Sequence, residues 1–172
     1  MDYLKPTIYR KNIYDINYKK LKKIGIKCLI FDLDNTLGLI KNRVCPKETK
    51  KLINKLKKEF IVIVCSNNTK KRLTPYTDEL EIDGVSWSFK PSTRALKKIQ
   101  NKYNLEKKEM CIIGDQLVTD ILSGKKYNIM TILVDPLGKK DLKITILNRV
   151  IENIILKKYK KNKIFERGNY YE

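Results

Sequence analysis

Short, continuously apolar runs punctuate this chain at 28–31, 60–65, 110–113 and 130–134, with a weaker one at 84–87. A run that is apolar at every position, not at every second one, predicts a strand of a parallel sheet covered on both faces. The stretches between them follow a different rhythm. After Pro46, the residues Leu52, Ile53, Leu56 and Phe60 recur at helical spacing; a second helix is predicted over about 69–80, and a third runs from Pro91 through Leu96, Ile99 and Tyr103. Strands separated so regularly by helices predict a three-layer α/β fold on a mainly parallel five-stranded sheet, with 1–172 as one domain. Before the first strand, residues 1–24 are basic and tyrosine-rich, with Ile13, Ile16, Leu21 and Ile24 spaced for an extension that packs on the domain. After the last, the tail 141–163 places Ile144, Leu147, Ile151, Ile154 and Ile155 ahead of a lysine-rich tip. That spacing predicts a final basic helix covering the sheet, a membrane-surface helix being the other reading.

Each predicted strand is followed at once by polar residues. Asp32-Leu33-Asp34-Asn35-Thr36 follows the first, Ser66-Asn67-Asn68 the second, Phe89-Lys90-Pro91-Ser92 the weak third, Gly114 to Asp120 the fourth, and Asp135-Pro136-Leu137-Gly138 the fifth. Parallel strands joined by right-handed crossovers all finish on one edge, where ligands bind in such sheets. Asp32 and Asp34, two residues apart in extended chain, leave on the same side. Carboxylates that close repel unless a cation lies between them or one is protonated, which points to metal or to acid/base work. Taken singly, the clusters have plainer readings: a turn at Asp34-Asn35, a helix cap at Ser66, a solvated lysine at Lys90, a first-turn acid at Asp120. Taken together they supply what phosphoryl transfer needs. Asp32 can attack phosphorus, Asp34 can protonate the leaving oxygen and then deprotonate water, and Ser66 and Lys90 can hold the transferring oxygens. Asp32, Asp115 and a backbone carbonyl near Asp34 make a hard-oxygen site suited to Mg²⁺.

Composition narrows the chemistry. The chain has no histidine, which excludes a His-ligated zinc site, a Ser-His-Asp triad and a His general base. Its four cysteines form no C-x-x-C pair, and three sit in apolar runs, which fits a reducing cytosol. The formal charge of +19 favours polyanions such as RNA or an anionic membrane, though abundant Lys, Ile, Asn and Tyr also follow from biased base composition. The first residues lack an apolar signal core, and no run reaches the ~20 residues of a spanning helix. A cytoplasmic protein, working in part at the inner face of a membrane, is the expectation.

The order D-x-D-x-T, S-N, K-P and G-D-x-x-x-x-D resembles the four motifs of the haloacid dehalogenase (HAD) superfamily. The strings DLDNTL, SNN, KP and GDQLVTDI, with TILV at 131–134, resemble the YqeG family of its subfamily IIIA phosphatases. The resemblance implies a Rossmann-like HAD fold with Asp32 as nucleophile, Asp34 as acid/base, and Thr36, Ser66, Asn67 and Lys90 at the substrate phosphate. It also implies Mg²⁺ held by Asp32, Asp34 and Asp115, with Asp120 supporting that site. Members often insert a cap domain, for which neither 36–66 nor 66–90 leaves room, so an open site facing a large substrate is expected. The YqeG family is similar to fungal mitochondrial phosphatases acting on phosphatidylglycerophosphate, which makes that lipid the leading substrate. A protein or small-molecule phosphatase is the alternative within the class, and a basic RNA- or ribosome-binding module with a vestigial site the alternative outside it.

Overall fold

The computed structural model describes residues 3–138 and 143–172. Its sheet contains β1 (Ile8–Arg10), β2 (Cys28–Phe31), β3 (Ile61–Cys65), β4 (Asp83–Val85), β5 (Met110–Gly114) and β6 (Met130–Val134), lying side by side in the order β1-β6-β5-β2-β3-β4. All five pairings are parallel. Five strands were expected; the sixth comes from the N-terminal extension, where Tyr9 stands opposite Leu133 of β6 and is fully buried. Three residues are too few to show an apolar run, so periodicity alone does not reveal this edge strand.

The helices are α1 (Tyr18–Lys23), α2 (Lys47–Leu56), α3 (Lys70–Leu80), α4 (Arg94–Tyr103), α5 (Leu122–Tyr127) and α6 (Lys143–Lys161). Successive strand residues point to opposite faces, and this divides the core. Leu29 and Phe31 of β2 pack with Leu21, Ile53, Leu56, Leu73 and Leu80 of α1, α2 and α3. Cys28 and Ile30 pack on the other side with Ala95, Leu96 and Ile99 of α4 and Tyr127 near α5's end. Each Leu, Ile or Phe among them contributes roughly 1.5–3 kcal/mol when removed from water. A third cluster joins Tyr9, Leu117, Ile121 and Leu133 to Tyr159 and Phe165, so α6 and the tail after it close over the β1 edge. Ile24, expected on the buried face of the extension, is exposed beyond the end of α1. Helix α4 begins three residues later than the Pro91 pattern predicts, after a turn in which Ser92 N–H donates to the Phe89 carbonyl at 2.8 Å. Of the predicted tail helix, residues 141 and 142 and the side chains of Ile144 and Leu147 lie outside the described residues.

Register sets the ends of the central strands level. Phe31 stands opposite both Val64 of β3 and Ile113 of β5. From β2 the chain builds outward through β3 and β4, then crosses back to β5 and β6 on the other flank. The reversal opens a crevice between β2 and β5, at the carboxyl ends of the strands. The described connections there hold helices and short loops with no inserted domain over the crevice.

Candidate active site

Asp32 is the first residue beyond β2, and its N–H donates to the Ile113 carbonyl at 2.8 Å, so the sheet ladder itself fixes its backbone. Asp115 is the first residue beyond β5. Asp120 lies five residues on, in a wide π-helical turn (Leu117–Ile121), whose geometry brings its carboxylate back over Gly114. Carboxylate oxygens of Asp32, Asp115 and Asp120 lie within 4.8 Å of one another. Lys90 closes the group from the β4 side. Its Nζ donates at 2.6 Å to Asp32 Oδ1, to Asp120 Oδ1 and to the Cys65 carbonyl, and its side chain is 1% exposed. A lysine with all three donors spent on buried oxygens is not the solvated lysine of the plainer reading.

The electrostatics follow from burial. Desolvation pushes the Asp32 carboxyl well above the usual range against the pull of Lys90, with Asp120 and Asp115 pushing the same way. Asp115 is raised to about 7, chiefly by burial, Arg149 opposing and Asp120 reinforcing the rise. Burial works against the Lys90 charge, but Asp120 and Asp32 outweigh it and hold the ammonium protonated. Three buried acids in one place are costly unless a further cation is shared between them. Hard carboxylate oxygens at this separation fit Mg²⁺, with waters completing the shell.

Asp34 was expected to offer the metal a nearby backbone carbonyl and to keep its side chain for acid/base work. Its carboxylate lies outside the three-acid cluster and is held from the α3 side: Arg72 Nε and Nη2 donate to Oδ1 at 3.0 and 2.7 Å, and Asn68 Nδ2 donates to Oδ2 at 3.0 Å. The same guanidinium donates to the carbonyls of Asn42, at 2.6 Å, and Leu39, at 3.2 Å. Arg72 therefore ties Asp34 to the segment between β2 and α2. Asp120, expected only to support the metal site, stands in the cluster beside Asp32 and Asp115.

The predicted phosphate-holding residues divide. Ser66 is buried one residue past β3, and its Oγ accepts from Asn68 N–H at 3.1 Å. The Asn67 side chain is spent on the loop carrying Lys90, accepting from Lys90 N–H and Ser88 Oγ at 2.7 Å and donating to the Lys90 carbonyl at 2.9 Å. Thr36 is buried, its Oγ1 3.5 Å from Asp115 Oδ1. Above these groups opens a cleft of about 490 Å³ bordered by Asp32, Asp34, Ser66, Lys90, Gln116 and Asn148, with Trp87 and Phe89 at its mouth. Both aromatic residues have left-handed backbone, φ 49° and 54°, which costs roughly 1–2 kcal/mol each in a side chain of this kind.

A further network escaped sequence reasoning. Arg149 of α6 pairs with the Asp115 carboxylate and donates to the Asp115 carbonyl at 3.2 Å and Glu152 at 2.7 Å. Arg167 reaches the same carbonyl at 3.0 Å and Glu152 at 2.9 Å, and Glu152 accepts from Leu117 N–H at 3.0 Å. The C-terminal segment is thus bolted to the backbone that presents Asp115. One signal existed: the chain carries thirty-two lysines and only six arginines. Arginine in so lysine-rich a chain marks positions that need a planar, bidentate donor, and Arg72, Arg149 and Arg167 all meet acids of this site or its support.

The fold and this strand-end constellation define a hydrolase of the HAD class. Residues 89–142 match a family model described as HAD-hydrolase-like, and residues 2–84 match one described as mitochondrial PGP phosphatase. Among solved structures, an uncharacterized protein from Listeria monocytogenes serotype 4b has a TM-score of 0.55 at 16% identity, over 77% of this chain and 99% of that one. A HAD-family enzyme from Bacteroides thetaiotaomicron, solved with magnesium and inorganic phosphate, has a TM-score of 0.52 at 14% identity, over 70% of this chain and 99% of that one. Among curated proteins, the probable phosphatase YqeG of Bacillus subtilis is 36% identical over 91% of both chains. An Arabidopsis thaliana chloroplastic/mitochondrial phosphatidylglycerophosphate phosphatase is 23% identical, over 79% of this chain and 42% of its own. The chain belongs to the YqeG family of phosphatases.

Proposed function

We propose that the whole chain, 1–172, works as a Mg²⁺-dependent phosphomonoesterase that proceeds through an aspartyl-phosphate on Asp32, with phosphatidylglycerophosphate as its substrate and phosphatidylglycerol as its product. The observation that carries the reading is the convergence of Asp32, Asp115, Asp120 and Lys90 beneath one open cleft. Asp32, Asp115 and Asp120 would hold the magnesium ion, which would supply positive charge for the phosphoryl oxygens. Lys90 occupies Oδ1 of Asp32 and leaves Oδ2 for phosphorus. As the new Oδ2–P bond forms, the bond from phosphorus to the leaving oxygen breaks, and Asp34 gives that oxygen a proton. Water then attacks the aspartyl-phosphate, Asp34 takes the water's proton, and the Oδ2–P bond breaks to release inorganic phosphate. Splitting one displacement into two lowers each barrier. Ser66 holds the transferring oxygens, and Lys90 joins it as a phosphoryl oxygen displaces one of its three present acceptors.

The lipid is supported by the likeness to phosphatidylglycerophosphate phosphatases and by a crevice over which the described residues insert no domain, which suits a phosphate presented on a large surface. No helix among the described residues is long and apolar enough to cross a membrane. The test is phosphate release from phosphatidylglycerophosphate in mixed micelles, from an aryl phosphate and from a phosphopeptide, each with and without Mg²⁺. The lipid is expected to be turned over fastest, only with metal, and not by Asp32→Asn. Turnover without metal, or by Asp32→Asn at the wild-type rate, overturns the mechanism; preference for a soluble phosphate overturns the substrate.

A further inference from the structure

The cleft mouth carries a feature that the phosphatase chemistry does not use. Trp87 and Phe89, 53% and 70% exposed, stack with ring centroids 6.4 Å apart and planes 24° from parallel. Their loop is pinned in this form: Trp87 N–H donates to the Asn68 carbonyl and Ser88 N–H to the Ser66 carbonyl, both at 3.0 Å. The backbone is held in an unfavourable region to turn two large apolar rings outward, the opposite of what burial favours. Val44, on the neighbouring loop between β2 and α2, is 65% exposed.

Among the described residues, the rim segments 39–46, 66–71 and 86–94 contain no Asp or Glu, and Lys41, Arg43, Lys70, Lys71 and Arg94 within them are all exposed. On α6, Val150, Ile151 and Ile154 are exposed within two turns of Asn148, which borders the same cleft. Apolar rings among unopposed cations match a surface whose outer layer is anionic and whose interior is hydrocarbon. We propose that this rim docks on an anionic bilayer, with Trp87 and Phe89 at the headgroup level and the cleft opening onto the lipid plane. The inference rests on the lipid reading of the substrate and adds the surface by which that substrate is approached.

Trp87 is the only tryptophan, so its emission reports this rim alone. The full chain is mixed with phosphatidylglycerol–phosphatidylcholine vesicles, with phosphatidylcholine vesicles, and with a soluble aryl phosphate, and emission and co-sedimentation are followed. Anionic vesicles are expected to move the emission to the blue and to carry the protein down, an effect weakened by high salt. Phe89→Ser weakens vesicle binding about tenfold or more, the scale of one large ring withdrawn from an apolar phase. Trp87→Ser, followed by sedimentation, does the same. Equal binding by both variants and wild type, or an emission shift with the soluble aryl phosphate and not with vesicles, overturns the proposal. Because these readouts need no turnover, lipid hydrolysis in micelles without vesicle binding removes the docking surface alone, whereas vesicle binding without lipid hydrolysis keeps the surface and removes the substrate.

Discussion

Replacing Lys90 by methionine isolates the electrostatics of the site. The methionine keeps much of the buried stem and removes an ammonium that bonds Asp32, Asp120 and the Cys65 carbonyl, each at 2.6 Å. Breaking a buried ion cluster by deleting one partner costs roughly 3–5 kcal/mol, out of a total stability of about 5–15 kcal/mol. In a chain of this length each kcal/mol shifts Tm by roughly 2–4 °C, so Lys90→Met is expected to melt roughly 6–20 °C below wild type in chelator. The deficit has a direction in pH. At pH 5 the unpaired carboxyls can take up protons, so the loss is smaller there than at pH 8. Magnesium is expected to recover part of it, since a divalent ion can stand between the same acids. Urea unfolding followed by far-UV circular dichroism at both pH values, with chelator or Mg²⁺, measures all three effects. A loss below about 1 kcal/mol that is unchanged by pH and by metal would falsify the claim that Lys90 neutralises the cluster.

Three further outcomes follow from the same geometry. If Arg72 positions Asp34 as proton donor, Arg72→Met lowers kcat/KM about tenfold or more on an alkyl phosphate and little on an aryl phosphate whose leaving group needs no proton; equal losses on both assign Arg72 a structural role. The Asp115 carboxyl, raised by burial from 3.8 to about 7, must lose its proton to bind metal, so Mg²⁺ affinity by calorimetry falls about tenfold per pH unit below 7 and levels off above it. Because the folded chain holds that proton more tightly than the unfolded chain, metal-free stability falls as pH rises from about 4 to about 7, and a flat profile would refute the assignment. In Gly114→Ala the added methyl meets the Asp120 carboxylate, and Mg²⁺ affinity drops about tenfold or more while the secondary structure by circular dichroism is kept; unchanged affinity would mean that Asp120 is not a ligand.

Much of this molecule was legible in its linear order. Strands buried on both faces must be apolar at every position, so β2, β3, β5 and β6 announce themselves, and parallel connectivity puts the residues after them on one edge. Asp32, Ser66 and Asp115 could be brought together on those grounds before any coordinates. What escaped depends on side chains meeting across elements remote in sequence. The direction of the Asp34 carboxylate is decided by Arg72 and Asn68, not by its two-residue spacing from Asp32. The rank of Asp120 is decided by a wide turn that folds it back over Gly114, and the spending of Asn67 on the Lys90 loop by hydrogen bonds across twenty-three positions. Arg149, Glu152 and Arg167 enter because α6 and the tail close on the β1 edge, itself three residues too short to leave a periodic trace. Period and order report which face a residue shares with its neighbours in sequence; which distant group shares its oxygen is settled only when the chain has packed.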